Sequence, residues 1–205
     1  MKRIGVKFVL YFILISIGYA YLYPLLYMFT TSFMTVEDLV NPTVSWLPTR
    51  ITLENFKKSW TVLEASKTLF NSVYLSVIPS VLQALVTALI AYGLSRFNFP
   101  LKRLWLFLIL ATFLIPTQVT IVTKYMLFSR LRLVGTPLVS FLPAVTGQGI
   151  RSAIFILLYY NFFNMLPKTF DEAAELDGAN SFQIFYKIML PLSLPAIVTT
   201  FIFSL

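Results

Sequence analysis

Residues 172–191 read EAAELDGANSFQIFYKIMLP, and they interrupt an otherwise strongly apolar chain. Half of the chain's eight acidic residues lie within seven positions here, at Asp171, Glu172, Glu175 and Asp177. Long charge-free stretches flank this acidic patch on both sides. The pattern predicts a short polar element between two membrane segments.

The composition is that of an integral membrane protein. The 205 residues are 58% hydrophobic and only 12% charged, and the mean hydropathy is +0.81, whereas soluble domains carry about a quarter charged residues. The net charge of +8 fits basic loops that orient membrane helices, with lipid rather than nucleic acid as the surroundings. The chain has no Cys and no His, which excludes disulfides, thiol nucleophiles and Cys/His metal sites. We therefore expect no enzyme activity, and no cofactor or metal bound by this chain.

Charge-free stretches predict five membrane segments, 8–29, 68–95, 104–123, 138–163 and 188–205. The fourth contains Arg151. The fifth contains Pro191 and Pro195 and stops at Leu205 without a polar flank. Because about 20 helical residues are needed to cross a bilayer, we expect the chain to be incomplete at its C-terminus.

Loop charges predict the orientation. Basic residues at Lys2, Arg3 and Lys7 place the N-terminus in the cytoplasm. Residues 34–67 have balanced charges and are expected to form an ordered extracytoplasmic loop. If 133–167 contained two spans instead of one, the acidic patch would lie outside the cell, and the charge pattern alone leaves both topologies open.

The acidic patch itself predicts a short helix. Pro167 is suited to the first turn of a helix, and the acids that follow favour its positive end. The spacing of four residues predicts one thin face, made of Phe170, Ala173, Ala174 and Asp177. Gly178 permits a left-handed stop.

A second short helix is predicted directly after the first. Asn180 or Ser181 can cap it. Its apolar side is expected to hold Phe182, Phe185 and Ile188, and Pro191 is expected to end it. An amphipathic helix on lipid is the alternative, but acids are repelled by anionic lipid, which favours a protein partner.

A family resemblance rests on the spacing in this stretch. The matching positions are Glu172-Ala173-Ala174, Gly178, Ile188 and Leu190-Pro191. They resemble the EAA loop of ABC-importer permease subunits. Further blocks resemble the carbohydrate-uptake, maltose-type branch with six helices, namely Leu53-Glu54-Asn55-Phe56, Asn71-Ser72, residues 91–97, Ile115-Pro116, Asp177, Ala179 and Pro195-Ala196.

The resemblance implies a fold and an assembly. The fold is an all-α polytopic transmembrane bundle of the type I ABC-importer permease kind, forming one domain over residues 1–205 with about five of six spans. Residues 167–191 are the cytoplasmic coupling loop, and the coupling residues are Glu172, Ala173, Ala174, Asp177 and Gly178. The implied partners are a second permease subunit, two ATPase subunits that use ATP and Mg²⁺, and an external sugar-binding protein, at a prokaryotic cell membrane.

Polar groups inside predicted spans are candidates for a translocation path. Arg151 follows Gly147, Gln148 and Gly149, and these glycines can break a helix that lines a cavity. Arg151 and Gln148 are therefore candidates, with Gln118 and Gln83 as further amides. The alternative is that Arg151 pairs with a neighbouring helix or reaches the membrane interface.

The function predicted from these patterns is the permease subunit of an ATP-driven sugar or oligosaccharide importer. No G-x-x-x-x-G-K-[ST] phosphate loop occurs, so the ATPase is expected on a separate chain. The alternatives are an ABC permease for another solute and a truncated, non-transporting membrane assembly protein. A membrane-embedded enzyme is disfavoured, because the predicted spans hold no acids and the chain has no His or Cys.

Overall fold

The structure is a computed structural model that describes residues 2–205, without the side chains of residues 2–4 and 117. Every regular element in this described part is helical, which confirms the predicted all-α class. The chain divides into two compact units, Met1–Phe70 and Asn71–Leu205. The single domain over 1–205 stays a prediction.

The first unit begins with α1, Lys2–Ser32, which contains the predicted first span. Its part Gly5–Ser32 is long and apolar enough to cross a membrane. Two short helices follow, α2 at Val36–Val40 and α3 at Glu54–Val62. The cytoplasmic orientation of the N-terminus stays a prediction. It rests in part on Lys2 and Arg3, whose side chains lie outside the described part.

Two polar side chains order the segment after α1. The buried Asp38 carboxylate accepts hydrogen bonds from the Thr49 hydroxyl and from the Thr49 backbone N–H at 3.0 Å, and these bonds lower the pKa of Asp38. Asn55 donates from Nδ2 to the carbonyls of Ser32, at 3.1 Å, and Met34, at 2.8 Å. The Asp38 bonds thus join α2 to Thr49, and the Asn55 bonds join the start of α3 to the end of α1.

The second unit is a helical bundle around the long helix α4, Ala65–Arg96, which begins in the first unit. The helices that follow are α5 at Lys102–Leu114, α6 at Thr117–Arg130, α7 at Leu138–Val145, α8 at Ser152–Met165, α9 at Thr169–Leu176 and α10 at Ser181–Ile184. A π-helical segment at Phe185–Met189 leads into α11, Leu190–Leu192, and α12, Leu194–Ser204.

Three of the five predicted spans are broken. Helices α5 and α6 are bent by 99° at the break before α6, and the helical path from Ser181 is bent by 79° between α11 and α12. The predicted continuous span 138–163 is wrong, because α7 and α8 are separate helices joined by the turn 146–151. By length and composition, two described helices can each cross a membrane, and four spans result if each bent pair counts as one.

The core of the second unit forms where small residues of α4 meet aromatic residues of α8. Ala88 and Ala91 of α4 and Tyr159 and Phe163 of α8 are fully buried in one cluster. Small residues allow helices in membranes to approach closely. The hydroxyls of Tyr159 and Thr200 lie 2.8 Å apart, so α12 packs on the same helix.

Candidate functional site

The acidic patch forms helix α9, which begins two residues later than predicted. Pro167 precedes the helix, and Thr169 is its first residue. Asp171 and Glu172 lie in the first turn, where the unpaired backbone N–H groups favour negative charge. The predicted helix is confirmed, and only its first residue is corrected.

Gly178 ends α9 in the predicted left-handed conformation, with φ +83°. The Gly178 N–H donates to the Glu175 carbonyl at 3.0 Å, and the Ala179 N–H donates to the Ala174 carbonyl at 2.9 Å. These two bonds are those of a Schellman motif, which satisfies carbonyls at the helix end. A β-carbon on Gly178 would meet no atom within 4 Å, so the requirement for glycine comes from φ alone.

The second helix starts at a capping box. Asn180 Oδ1 accepts from the Gln183 N–H, and Gln183 Oε1 accepts from the Asn180 N–H, both at 2.9 Å. This confirms Asn180 as the predicted cap. The predicted apolar face is confirmed at the buried Phe185 and wrong at Phe182, which is 63% exposed, while Ile184 is buried although it was not predicted to be.

Pro191 does not end the helical path as predicted. The path continues to Leu192. In the π-helical turn just before the proline, the Leu190 N–H bonds to the Phe185 carbonyl. A π-bulge is a common site of kinks and irregular hydrogen bonding in helices.

The predicted thin face of α9 is divided between the outside and the core. Ala174 is buried at 7% exposure, while Leu176 is 90% exposed. Ala173 is exposed, and so are the acids Glu172, Glu175 and Asp177. The outward surface of α9 therefore holds the acids Glu172 and Glu175 together with Thr169, Phe170, Ala173 and Leu176, and Ala174 serves internal packing.

Asp171 forms a buried ion pair with Arg96, the last residue of α4. Asp171 Oδ2 lies 3.0 Å from Arg96 Nε, with side-chain exposures of 15% and 7%. The contact lacks hydrogen-bond geometry, and among the described residues neither Nε nor either carboxylate oxygen has a hydrogen-bond partner. Burial raises the pKa of Asp171, and the positive charge of Arg96 opposes that rise.

Three more contacts join the end of α4 to the same region. Arg96 Nη2 donates to the Leu166 carbonyl at 3.2 Å and lies 3.8 Å from the Met189 sulfur. One turn earlier, the Tyr92 hydroxyl donates to the Ser181 carbonyl at 3.2 Å. The end of α4 thus contacts the loop before α9, within α9, at the start of α10 and near α11.

A polar cluster lies further back along α4, at the buried Gln83. Its Nε2 donates to the Ile150 carbonyl at 2.6 Å and to Ser152 Oγ at 3.0 Å. Its Oε1 accepts from Ser204 Oγ at 2.8 Å. A β-carbon on Gly149 would lie 2.6 Å from Oε1. Gln83 therefore joins α4, α8 and α12 and is fully engaged inside the protein.

Three of the four candidate path residues are exposed on this chain, and the fourth, Gln83, is buried. Gln148 and Arg151 lie in the turn between α7 and α8, and Gln118 lies on α6. Arg151 has φ +60° and precedes α8. The structure brings Gln148 and Arg151 into one turn, and no ion pair involving Arg151 is present within residues 2–205.

The sequence patterns pointed to Gln83 only as a polar residue within a predicted span, and they did not reveal its bonds to α8 and α12 or the Arg96–Asp171 pair. Asp171 and Arg96 are each visible in sequence, one in the acidic patch and the other at the end of a charge-free stretch. Their pairing depends on how α4 packs against the loop. No metal-binding group of three or more acids is present in the described part of the chain.

Comparison with known proteins identifies the family. Residues 83–205, more than half of the chain, match the family described as "binding-protein-dependent transport system inner membrane component". This stretch begins at Gln83 and contains the acidic patch. The match confirms the prediction of a non-catalytic membrane subunit.

Named relatives agree with this family. The chain is 32% identical to a probable ABC transporter permease protein of Pyrococcus horikoshii, over 90% of this chain and 66% of the relative. It is 31% identical to the polygalacturonan/rhamnogalacturonan transport system permease protein of Bacillus subtilis, over 88% and 60%. It is 30% identical to an arabinooligosaccharides transport system permease protein of Halalkalibacterium halodurans, over 90% and 67%. The chain thus spans about two thirds or less of the length of these relatives.

A solved structure has the same fold. It is a crystal structure of a bacterial ABC transporter involved in the import of the acidic polysaccharide alginate, with a TM-score of 0.70, 22% sequence identity, and coverage of 100% of this chain and 71% of that one. The predicted importer-permease fold is thereby confirmed. The chain belongs to the family of inner membrane components of binding-protein-dependent transport systems.

Proposed function

We propose that this chain acts as the permease subunit of an ATP-binding-cassette importer for a sugar or oligosaccharide. The relatives named for arabinooligosaccharides and for polygalacturonan support this substrate class. Uptake of another solute is the alternative, and the transport assay below separates the two.

The coupling of transport to ATP hydrolysis is assigned to loop 167–191. The observation that carries this assignment is the outward surface of α9, where Glu172, Ala173 and Asp177 are exposed while the helix is anchored from behind at Ala174 and Asp171. An acidic surface is poorly suited to anionic lipid. It suits a cleft on a cytoplasmic ATPase subunit, and Gly178 sets the angle at which the chain leaves that cleft.

The assembly proposed for this chain contains a second permease subunit, two ATPase subunits and an external binding protein. The chain lies in the prokaryotic cell membrane with its N-terminus and loop 167–191 in the cytoplasm and residues 34–67 outside. The exposed turn with Gln148 and Arg151 is available to line a path shared with the second subunit. Polar groups on membrane helices usually face such paths.

The proposal is tested by co-purification with ATP-binding-cassette ATPase subunits of the source organism, after co-expression of the full chain. We expect Glu172→Lys and Gly178→Pro to reduce the recovered ATPase strongly. Glu37→Lys is the matched control, because it makes the same charge change at an exposed residue outside loop 167–191. Undiminished association of both motif variants would refute the coupling assignment.

The substrate class is tested in proteoliposomes that contain the complete assembly. Radiolabelled oligosaccharide should accumulate only when ATP is present on the ATPase side. Accumulation of a non-sugar solute alone would leave the coupling assignment intact and would overturn the sugar assignment.

A further inference from the structure

The Arg96–Asp171 pair is an unusual way to stabilise a protein. Both side chains are largely buried, yet neither the Arg96 Nε–H nor the carboxylate oxygens of Asp171 have a hydrogen-bond partner in the described part of the chain. Replacing such a pair by apolar residues is often neutral or stabilising, since the loss of hydration offsets the attraction. Stability alone therefore gives no reason for this pair.

The position of the pair gives a mechanical reason. Loop 167–191 is covalently continuous with α8 and α12, whereas Arg96 belongs to α4. Arg96 and Tyr92 hold the loop at Asp171 and Ser181, and Arg96 also bonds to Leu166, the residue just before the loop. A force on α9 therefore reaches α4 directly, without passing along the chain.

An ion pair suits a link that must hold while the linked elements move. The attraction between two charges declines gradually with distance and depends little on angle, whereas a hydrogen bond weakens steeply when it is misaligned. Because the pair is buried, salt screens it weakly. Arg96 and Asp171 can shift slightly past one another and still resist separation.

Helix α4 then carries the displacement to the polar cluster around Gln83. No proline lies between Gln83 and Arg96, and 13 residues of α-helix extend about 20 Å. At that end Gln83 is bonded to Ile150 and Ser152. These residues flank Arg151 in the turn between α7 and α8.

We propose that Arg96 and Asp171 are positioning residues that make loop 167–191 and α4 move as one body, so that displacement of the loop reaches the turn 146–151 through Gln83. That an ATPase supplies the displacement rests on the function proposed above. The link between the loop and α4 is a property of this chain alone and is testable without partners.

The first test uses the chain alone in lipid nanodiscs. The chain has no cysteine, so Leu89→Cys on α4 and Leu176→Cys on α9 carry two spin labels, and the distance between the labels is measured by pulsed electron paramagnetic resonance. We expect a narrow distribution for the parent and a broad one for Arg96→Met/Asp171→Leu. The charge swap Arg96→Asp/Asp171→Arg should restore the narrow distribution. An unchanged distribution in the apolar pair, or a swap that stays broad in a folded protein, would overturn the proposal.

The control is the exposed pair Glu64–Lys67, at 3.1 Å. Glu64→Gln/Lys67→Met removes an ion pair from the surface and should leave the label distances unchanged. Broadening in this control equal to that in the apolar pair would show a general loss of order and would count against the proposal.

The second test uses the complete assembly. In Arg96→Met/Asp171→Leu, ATPase association and basal hydrolysis should persist while transport falls about tenfold, the scale typical of mutations that weaken coupling between sites. Wild-type transport in this variant would overturn the proposal. If the parent chain binds no ATPase, the proposed function fails, and the label distances still decide whether the joint exists.

Discussion

Gly149 stands so close to Gln83 that a β-carbon on the glycine would lie 2.6 Å from Oε1 and 2.9 Å from Nε2 of the glutamine. Both the close approach and the hydrogen bonds of Gln83 to Ile150 and Ser152 depend on the absence of a side chain at Gly149. The turn between α7 and α8 is thereby fixed to α4.

Gly149→Ala should therefore destabilise the protein by about 2 kcal/mol. The Gln83 amide is the flexible end of its side chain and can turn away from the new carbon, so the cost is set by the loss of its hydrogen bonds to Ile150, Ser152 and Ser204, at about 0.6 kcal/mol each between membrane helices. Unfolding by titration with sodium dodecyl sulfate in mixed micelles measures the loss.

Two further variants test the cause of that loss. Gly93→Ala is the matched control, because a β-carbon there meets no atom within 4 Å, and helix propensity predicts a gain of up to about 1 kcal/mol. In Gln83→Ala/Gly149→Ala the side chain that the new β-carbon would meet is gone. The double variant should therefore lose less stability than the sum of the losses in the two single variants. Full additivity would exclude the proposed clash.

Gly178→Ala should weaken the end of α9 through backbone strain without any steric clash. A left-handed conformation costs an L-residue about 1–2 kcal/mol, and Gly178 has φ +83°. The Ala179 amide, which bonds to the Ala174 carbonyl, should exchange its hydrogen roughly tenfold faster, as that cost implies. Gly18→Ala, in the open interior of α1, should not accelerate exchange at Ala179. Unchanged exchange in Gly178→Ala would contradict the Schellman motif.

Asp38 predicts a pH dependence in the segment after α1. Hydrogen bonds from Thr49 lower the pKa of Asp38 in the folded protein, so the carboxylate stabilises the fold above its unfolded pKa, and that stabilisation is lost as the pH falls through the folded pKa. Thr49→Val should raise the pKa of Asp38 and move this loss to higher pH. Hydrogen exchange of residues 35–52 between about pH 3 and 6, corrected for intrinsic rates, checks the shift around the usual aspartate value.

Thr43→Val is the control for this prediction, because the Thr43 hydroxyl bonds to the Asn41 side chain rather than to an acid. It should leave the pH profile of residues 35–52 unchanged. Identical profiles for Thr49→Val and the parent would contradict the assigned role of Thr49.

The proposed topology predicts opposite labelling of two exposed leucines. Single cysteines are placed at Leu47 and Leu176, which are 81% and 90% exposed, in a chain that has no other cysteine. A membrane-impermeant maleimide added to intact spheroplasts should label Leu47→Cys and spare Leu176→Cys until the membrane is opened. The reverse pattern would place the acidic loop outside and refute the coupling role.

The sequence predicts the two long helices well, because a charge-free stretch gives both the length and the hydrophobicity of a membrane helix. The spans 8–29 and 68–95 lie inside α1 and α4. Hydropathy does not report backbone breaks, so the bends at Pro116 and in the turn 146–151 were missed. Proline and glycine mark both positions in the sequence. Only the packing against α4 shows that Gly147 and Gly149 lie in a turn between two separate helices.

The features of the acidic loop that depend only on neighbouring residues are predicted correctly from the sequence. The left-handed Gly178 and the Asn180 cap depend on neighbouring residues only. The burial of Ala174 and the pairing of Asp171 with Arg96 depend on a helix far away in the chain, which one sequence without partners does not reveal. For the same reason the predicted faces are wrong at particular residues, since Phe182 is exposed and Ala174 is buried apart from its predicted neighbours.

Cysteine cross-linking at adjacent positions of α9 tests whether the exposed side of this helix docks on an ATPase subunit. Ala173 is exposed and Ala174 is buried, so Ala173→Cys points to a docked partner and Ala174→Cys points to the core. With a co-expressed ATPase subunit that carries cysteines along its cleft, oxidation should join the ATPase to Ala173→Cys and not to Ala174→Cys. No cross-link from Ala173→Cys in an assembly that still hydrolyses ATP, or equal cross-linking from both positions, would refute the coupling role of α9.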